Sequence, residues 1–287
     1  MTVPAALLAV RSTLRNPVRR LGWPPVLGIG VVAVLALAAL LTPFLAPYGP
    51  NQLDFANTLS PPSMTHLMGT DDTGRDVLSR TLYGLRIDLL VVFAVTYIPL
   101  PIGVLVGAVA GYFGGLADLL LSRIIDIMLA FPFIVLVVAI VAVVGPGLTG
   151  VLIGIPIVSW ALYARLARSE MLVLREQPFM LATVGLGYTA RRTILRHAVP
   201  NLLRVSLIYS TVDLVGNLLV LAGLAYLGLG QQPPGAELGS IIAGGESSLL
   251  TAWWVSTLPG LVLVLFGVSV GLIGDGLSNG DVPSGSP

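Results

Sequence analysis

Six long apolar runs are the feature that most limits what this chain can fold into. They cover roughly residues 23–46, 88–112, 124–144, 149–167, 205–229 and 253–274. A helix needs about 20 apolar residues to cross the hydrocarbon core of a bilayer. The runs therefore predict an all-α integral membrane protein with six transmembrane helices. The composition agrees, because only 10% of the residues are charged, against about 25% in soluble domains.

Two residue types are missing, and each absence excludes a class of chemistry. All 15 basic residues are arginine, and a phosphate-binding P-loop needs a lysine. If ATP drives this protein, another polypeptide must hydrolyse it. The absence of cysteine excludes disulfides and thiolate metal sites. His66 and His197 fall in loops predicted on opposite sides of the membrane. We therefore predict no enzymatic activity, no catalytic residue, no metal site and no cofactor bound by this chain.

The placement of the arginines predicts the orientation. Cytoplasmic loops carry an excess of basic residues. If the N-terminus is cytoplasmic, only Arg75, Arg80 and Arg86 lie outside. The others then lie on the cytoplasmic side: Arg11, Arg15, Arg19, Arg20, Arg123, Arg165, Arg168, Arg175, Arg191, Arg192, Arg196 and Arg204. We expect both termini in the cytoplasm.

The apolar runs and the placement of the arginines together predict the organisation of the chain. The predicted segments are a cytoplasmic N-terminal segment (1–24), a first transmembrane helix (25–46), an extracytoplasmic loop with an interfacial helix (47–86), a five-helix core (87–275) that includes a cytoplasmic loop at 169–203, and a C-terminal tail (276–287). Within the core, Gly103, Gly107 and Gly111 share one helix face, where another helix can approach closely. Prolines at positions 99, 101, 132 and 156 predict kinks, which serve either ordinary packing or bending during a transport cycle.

The loop at 170–203 is basic and able to form helices. Pro178 suits a first helical turn, Phe179–Val184 a short helix, and Gly185 or Gly187 a left-handed cap. A second amphipathic stretch follows, and we expect Pro200 to end it. The pattern alone fits equally a surface that docks a partner and one that lies on anionic headgroups.

This loop resembles the cytoplasmic docking loop, called the EAA motif, of ABC-importer permeases. Gly187 and Pro200 have the spacing of that motif, whereas Leu181 stands where the family carries glutamate. The resemblance implies that the loop couples to an ATPase, here by shape and apolar contact more than by an ion pair. The implied coupling residues are Ala182, Thr183, Gly187, Arg191, Arg192, Pro200 and Asn201.

Three further segments resemble one branch of that family, the C-subunit type of the dipeptide, oligopeptide and nickel permeases. Residues 69–80 resemble its GTDxxGRDVxSR signature, residues 227–239 its FLGLGxxPP segment, and residues 253–277 its final span. Leu238 departs from the usual tryptophan. The signature residues are Gly69, Thr70, Asp71, Gly74, Arg75, Asp76 and Arg80.

The resemblance implies the fold of a type I ABC importer permease and the import of short peptides across a bacterial cytoplasmic membrane. It also implies the partners: a homologous permease as the other half of a heterodimer, two ATPase subunits that bind ATP and Mg, and an extracytoplasmic substrate-binding protein. Lipid surrounds the spans, and no nucleic acid is expected. A permease for nickel or another small solute is an alternative, and an ion-coupled secondary transporter is a more distant one.

Polar residues near the spans leave three questions open. Asp213 and Asn217 lie one turn apart inside the fifth span, where a carboxylate is costly unless it faces protein or water. They either line the translocation path or make a helix–helix hydrogen bond with the partner subunit. The stretch from Gly74 is expected to be an interfacial helix capped by Thr73 or Asp72, or else a contact for the binding protein. Asp118 and Asp126 flank Arg123, which predicts local pairing.

Overall fold

The computed structural model describes residues 23–279, and within them no β-strand forms. The helices are α1 (Trp23–Leu40), α2 (Thr42–Leu45), α3 (Val77–Tyr97), α4 (Pro99–Phe113), α5 (Gly115–Ala130), α6 (Phe133–Val144), α7 (Leu148–Leu174), α8 (Pro178–Gly185), α9 (Ala190–Thr193), α10 (Val199–Tyr226), α11 (Leu238–Gly244) and α12 (Trp254–Asn279). The N-terminal segment up to residue 22 and the tail from residue 280 lie outside the described residues.

Five helical stretches are long and apolar enough to cross a membrane. They are α1, α3 with α4, α7, α9 with α10, and α12. A sixth span results if α5 and α6 are counted together, although they meet at an angle of 87°. Pro132 lies at that bend, where its missing backbone donor favours a break. By length and composition, the described chain therefore accommodates the six predicted spans.

The glycine stripe of α4 lies directly against α7. A Cβ atom on Gly103 would come within 2.5 Å of the Tyr163 Cβ, and one on Gly111 within 2.8 Å of the Met171 Cβ. A Cβ on Gly107 would collide with the Ala164 carbonyl. The predicted close approach of a second helix is therefore confirmed, and it produces the most extensive helix pair of the described chain.

Two loops close opposite ends of the bundle. The motif loop (residues 46–76) packs at one end against the start of α12, where Val77, Ala252, Trp254 and Val255 form a small buried cluster. The coupling loop (residues 169–203) packs at the other end, and its Met180 and Ile194 join a cluster that contains Tyr163 and Met171 of α7.

The expectation that Pro200 ends the second amphipathic stretch of the coupling loop is wrong. The helix α10 begins at Val199 and continues through Pro200 to Tyr226. The five residues Ile194–Ala198 before it form a π-helical turn. Proline is tolerated in the first turn of a helix, because its missing donor would lack an intrahelical acceptor there. Pro200 therefore lies where the π-helical turn passes into α10, and the helical stretch from Ala190 continues through it to Tyr226.

The interfacial helix expected within residues 47–86 is also not a separate element. The helix begins at Val77 and continues as the span α3. Its cap is Asp76, whose Oδ2 accepts a hydrogen bond from the Ser79 backbone N–H at 2.7 Å. Neither Asp72 nor Thr73 caps it, since the Thr73 N–H and hydroxyl both donate to Asp71.

The local pairing expected around Arg123 does not occur. Asp118 accepts hydrogen bonds from Arg168, one of them 2.7 Å long, and Asp126 accepts one from Arg165 at 2.8 Å. Both arginines belong to α7, while both aspartates belong to α5. The charges therefore join two packed helices, a relation that neighbouring positions in the sequence cannot reveal.

Candidate functional site

The coupling loop contains the short helix expected from Pro178. The helix α8 ends at Gly185, and Gly187 then adopts a left-handed φ of +74°. This conformation lets the Tyr188 N–H donate to the Thr183 carbonyl at 3.0 Å. A residue with a Cβ is strained at such a φ, which explains the glycine of the motif.

The coupling residues divide into a buried anchor and an exposed surface. Thr183 is buried and lies 3.3 Å from the Thr193 hydroxyl, which joins α8 to α9. Arg192 is exposed and lies over the Tyr188 ring at 4.0 Å. The Asn201 amide donates to the His197 carbonyl at 2.7 Å. The remaining coupling residues are exposed: Ala182, Gly187, Arg191 and Pro200.

The outward surface of this loop is apolar. Phe179, Leu181, Val184 and Leu186 are 45%, 58%, 59% and 71% exposed. Large apolar side chains grouped on a surface mark a contact with protein or membrane. Leu181 lies within this group, at the position where the family motif has glutamate.

Asp71 and Asp76 organise the motif loop. Asp71 Oδ1 accepts from the backbone N–H groups of Thr73 and Arg75, both at 2.9 Å, and its Oδ2 accepts from Arg75 Nε at 2.6 Å. Asp76 Oδ1 lies 2.9 Å from His66 Nδ1, while its Oδ2 caps α3. Both carboxylates are almost fully buried.

The other motif residues stabilise the same loop. Gly69 and Gly74 have φ values of +73° and +75°, and a Cβ on Gly74 would collide with the Asp54 carbonyl. The Thr70 carbonyl accepts from the Trp254 indole at 3.2 Å, and Arg80 donates to the Pro50 carbonyl at 3.1 Å. The motif residues thus fold the loop, and a hydrogen bond joins it to α12.

One face of this loop borders an open cavity of about 310 Å³. Arg75 and Arg80 line it from one side, and residues 225–244 from the other. Tyr226 at its edge donates to Glu246 at 2.5 Å. The stretch from Gly74, which the sequence offers as a contact for a binding protein, therefore shares one concave surface with residues 225–244.

Asp213 and Asn217 come together with residues of two other helices. Tyr163 of α7 donates to Asp213 Oδ2 at 2.8 Å, and Asn217 donates to the same oxygen at 3.0 Å. The Asn217 amide also lies 3.0 Å from the Thr96 hydroxyl at the end of α3. We call these four residues the midplane cluster. Sequence spacing predicted the pair on α10 but not the partners Tyr163 and Thr96.

Sequence reasoning missed two buried carboxylates at the motif-loop end. Asp88 of α3 is 1% exposed and Glu237 is 0% exposed. Asp88 Oδ2 accepts from the Leu238 N–H at 3.2 Å, and Glu237 Oε2 accepts from the Gln231 N–H at 2.5 Å. Burial raises the pKa of the Glu237 carboxyl above its ordinary value because it disfavours the charged form. Asp88 belongs to no motif and Glu237 lies at an unspecified position of the 227–239 segment, so only packing reveals that they are buried.

Comparison with known families decides the class of the protein. Residues 103–279 match the family described as the binding-protein-dependent transport system inner membrane component. The chain belongs to this family. Residues 25–62 also match the N-terminal transmembrane domain of oligopeptide transport permease C. The permease is therefore a multi-pass inner membrane protein and a transport subunit rather than an enzyme.

Relatives of the permease match it over most of its length. The dipeptide transport system permease protein DppC of Alkalihalophilus pseudofirmus is 38% identical over 252 residues, covering 88% of this chain and 83% of the relative. The di/tripeptide transport system permease protein DppC of Pseudomonas aeruginosa is 37% identical over 256 residues, covering 87% and 84%.

The fold of the permease recurs in a solved transporter. An inward-facing structure of the MetNI methionine ABC transporter matches with a TM-score of 0.53 and 21% identity, covering 69% of this chain and 93% of that chain. The permease therefore has the type I ABC importer permease fold. Members of its family work with ATPase subunits that hydrolyse ATP and with a substrate-binding protein.

Proposed function

We propose that this permease forms one half of a heterodimeric pore that imports short peptides. The observation that carries the proposal is the similarity to dipeptide and di/tripeptide permeases along more than four fifths of the chain. A homologous permease would complete the pore, and two ATPase subunits would bind ATP and Mg. The chain itself would hold no cofactor. Peptide import is favoured over nickel import because both relatives are named as peptide permeases.

The orientation follows from the distribution of arginine. With both termini in the cytoplasm, the coupling loop faces the ATPases and the motif loop faces the substrate-binding protein. The positive-inside bias supports this arrangement. The cavity bordered by Arg75 and Arg80 would then open outward, toward the binding protein.

The coupling loop would dock into the ATPase by apolar contact. Leu181 and Val184 are both more than half exposed on one surface of α8, and burying large apolar side chains of this kind favours association. The buried hydrogen bond between Thr183 and Thr193 would hold α8 against α9 while the ATPase moves it. The helix then acts as a lever on the spans.

Reconstituted transport tests the function. The complex of this permease, its partner permease, two ATPases and binding protein is placed in proteoliposomes, and uptake of a labelled dipeptide is measured. We expect uptake that requires both ATP and binding protein. Uptake that continues without ATP and collapses when the proton gradient is dissipated would instead identify a secondary transporter. Uptake of labelled nickel without uptake of peptide would establish the metal alternative.

Two alanine substitutions test the coupling loop. A Cβ on Gly187 or on Gly185 meets no atom within 4 Å, but only Gly187 has a positive φ. We expect Gly187→Ala to lower peptide uptake per ATP hydrolysed, because the left-handed conformation costs about 1 kcal/mol or more with a Cβ. Gly185→Ala is the matched control and should leave this ratio unchanged. Equal ratios in both variants would contradict docking through the shape of this loop.

A further inference from the structure

The midplane cluster lies at the centre of three long helices. Asp213 lies near the middle of α10, which has 28 residues, and Tyr163 near the middle of α7, which has 27. Thr96 lies near the middle of the 37-residue stretch formed by α3 and α4. At about 1.5 Å per residue, Asp213 is roughly 20 Å from either end of its helix. The cluster therefore lies deep within the hydrocarbon layer.

The hydrogen bonds of Asp213 leave one of its oxygens unused. Tyr163 and Asn217 both donate to Oδ2. Oδ1 accepts no hydrogen bond from residues 23–279, and it is not among the buried oxygens without a partner. Asp213 is half-buried, whereas Tyr163 and Asn217 are buried. The free oxygen therefore points out of the packed helices.

Within the described residues, the charge of Asp213 has no counter-ion. Both of its donors are neutral, and within residues 23–279 its carboxylate takes part in no ion pair. A carboxylate at this depth is costly against lipid and is found facing protein or a water-filled path. The open side of the cluster is therefore suited to a cation that enters from outside the chain.

Three tyrosine side chains lie near Asp213; Tyr163 is fully buried, whereas Tyr97 and Tyr209 are partly exposed. Tyr163 and Tyr209 pack edge to face with centroids 5.6 Å apart. Tyr97, which is 38% exposed, has its hydroxyl 3.4 Å from the Ser210 hydroxyl, one turn before Asp213. Tyrosine faces attract organic cations. A free carboxylate oxygen near the partly exposed Tyr97 and Tyr209 rings therefore has the chemistry to accept an ammonium group.

The same chemistry argues against a metal ion. Calcium and similar hard cations need six or more oxygen ligands. Tyr163 and the Asn217 amide both donate hydrogen bonds to the Asp213 carboxylate. They would therefore present hydrogen atoms, and not ligand oxygens, to a metal ion at this place. Among residues 23–279, no group of three or more His, Cys, Asp or Glu side chains is placed to hold a metal.

We propose that the midplane cluster binds the protonated amino terminus of the peptide in transit, with Asp213 Oδ1 as the acceptor and the tyrosine rings beside it. This assignment rests on the proposed function, because it takes peptide as the cargo. A free peptide carries its positive charge at a primary ammonium, which donates up to three hydrogen bonds. Asp213 would accept one of them and neutralise the charge halfway across the membrane.

Uptake by charge variants of the reconstituted complex tests this site. We expect Asp213→Asn to lower uptake of a dipeptide with a free amino terminus by roughly tenfold or more, the effect of losing a charged hydrogen bond. Asp213→Glu restores the charge and should recover most of the uptake. Asp275→Asn removes an exposed carboxylate of α12 and serves as the matched control. An N-acetylated dipeptide has no ammonium, so its lower uptake should not fall further in Asp213→Asn.

The contrary outcomes are distinct. Equal losses with both peptides, or no loss with either, overturn the ammonium site. Fewer assembled complexes with unchanged uptake per complex would instead place Asp213 at the contact with the partner permease. If the wild-type complex imports no peptide, the proposed function fails first. If the wild-type imports peptide and Asp213→Asn matches it, only the site fails.

Discussion

Asp76 makes three contacts that hold the motif loop on α3. Its Oδ2 accepts from the Ser79 N–H and from the Ser79 hydroxyl, both at 2.7 Å, and its Oδ1 lies 2.9 Å from His66 Nδ1. The His66 ring in turn stacks on Tyr48 with centroids 4.9 Å apart. One carboxylate thus caps a helix and fixes a buried imidazole, which gives the second aspartate of the signature a structural role.

Removing this carboxylate should destabilise the fold. We expect Asp76→Ala to lower the free energy of unfolding by about 2 kcal/mol, because a helix cap is lost and buried polar partners are left unpaired. Asp72→Ala is the control, since the Asp72 side chain is 65% exposed and its contact with Arg75 is 3.8 Å long. Thermal unfolding in detergent measures both, and equal melting temperatures would contradict the role of Asp76.

The stability of the folded permease should depend on pH because of Glu237. Burial raises the pKa of its carboxyl in the folded state, so the neutral form is the one that the fold favours. Its contribution is present below the ordinary pKa of glutamate and is lost as the pH rises through the raised folded-state pKa. We expect the melting temperature of the wild-type to fall over this window.

The variant Glu237→Gln isolates that effect. Glutamine can still accept the hydrogen bond from the Gln231 N–H, but it does not ionise. Asp88 remains in both proteins, so the difference between their two melting curves reports the ionisation of Glu237 together with its electrostatic effect on Asp88. We expect a flatter dependence of melting temperature on pH for the variant. Parallel curves would mean that the carboxyl of Glu237 does not titrate across this range.

The close contact between the helices α4 and α7 depends on the absence of a side chain at Gly107. A methyl group on Gly107 would meet the Arg168 backbone nitrogen at 2.7 Å, and backbone cannot turn away as a side chain can. We expect Gly107→Ala to cost about 1–3 kcal/mol of stability through overpacking. Gly271→Ala in α12 meets no atom within 4 Å and should gain up to about 1 kcal/mol from helix propensity. Unfolding in detergent compares them, and similar shifts would contradict the close contact.

Patterns along one helix could be predicted from the sequence, and relations between helices could not. Glycines four residues apart indicated a close contact because spacing alone defines a helix face. The partners of Asp118 and Asp126 were mispredicted, because they lie 50 and 39 residues away on α7. No sequence pattern indicated that Asp88 and Glu237 are buried, because their burial depends on how α3 meets the loop before α11. In the midplane cluster, the pair on α10 was predictable, but Tyr163 was not.

The whole molecule connects its two proposed binding regions through one buried cluster. Met180 of α8 belongs to the same core as Met171 and Tyr163 of α7. Tyr163 then donates to Asp213. Packed cores transmit displacement because they have few voids. A movement of the coupling helix can therefore reach the carboxylate at the midplane through α7.

A cavity in this cluster should weaken that connection. Met180 is 2% exposed, and truncating a buried methionine leaves a void that costs about 2–5 kcal/mol. We expect Met180→Ala to raise the ATP hydrolysed per peptide imported severalfold, because α8 can then move without moving α7. Met180→Leu keeps the volume and should preserve the ratio. Met64→Ala makes the same change at a side chain that is 96% exposed, so it should behave as the wild-type. An unchanged ratio in assembled Met180→Ala complexes would mean that the movement reaches the spans by another contact, the most direct being the continuous helix from Ala190 to Tyr226.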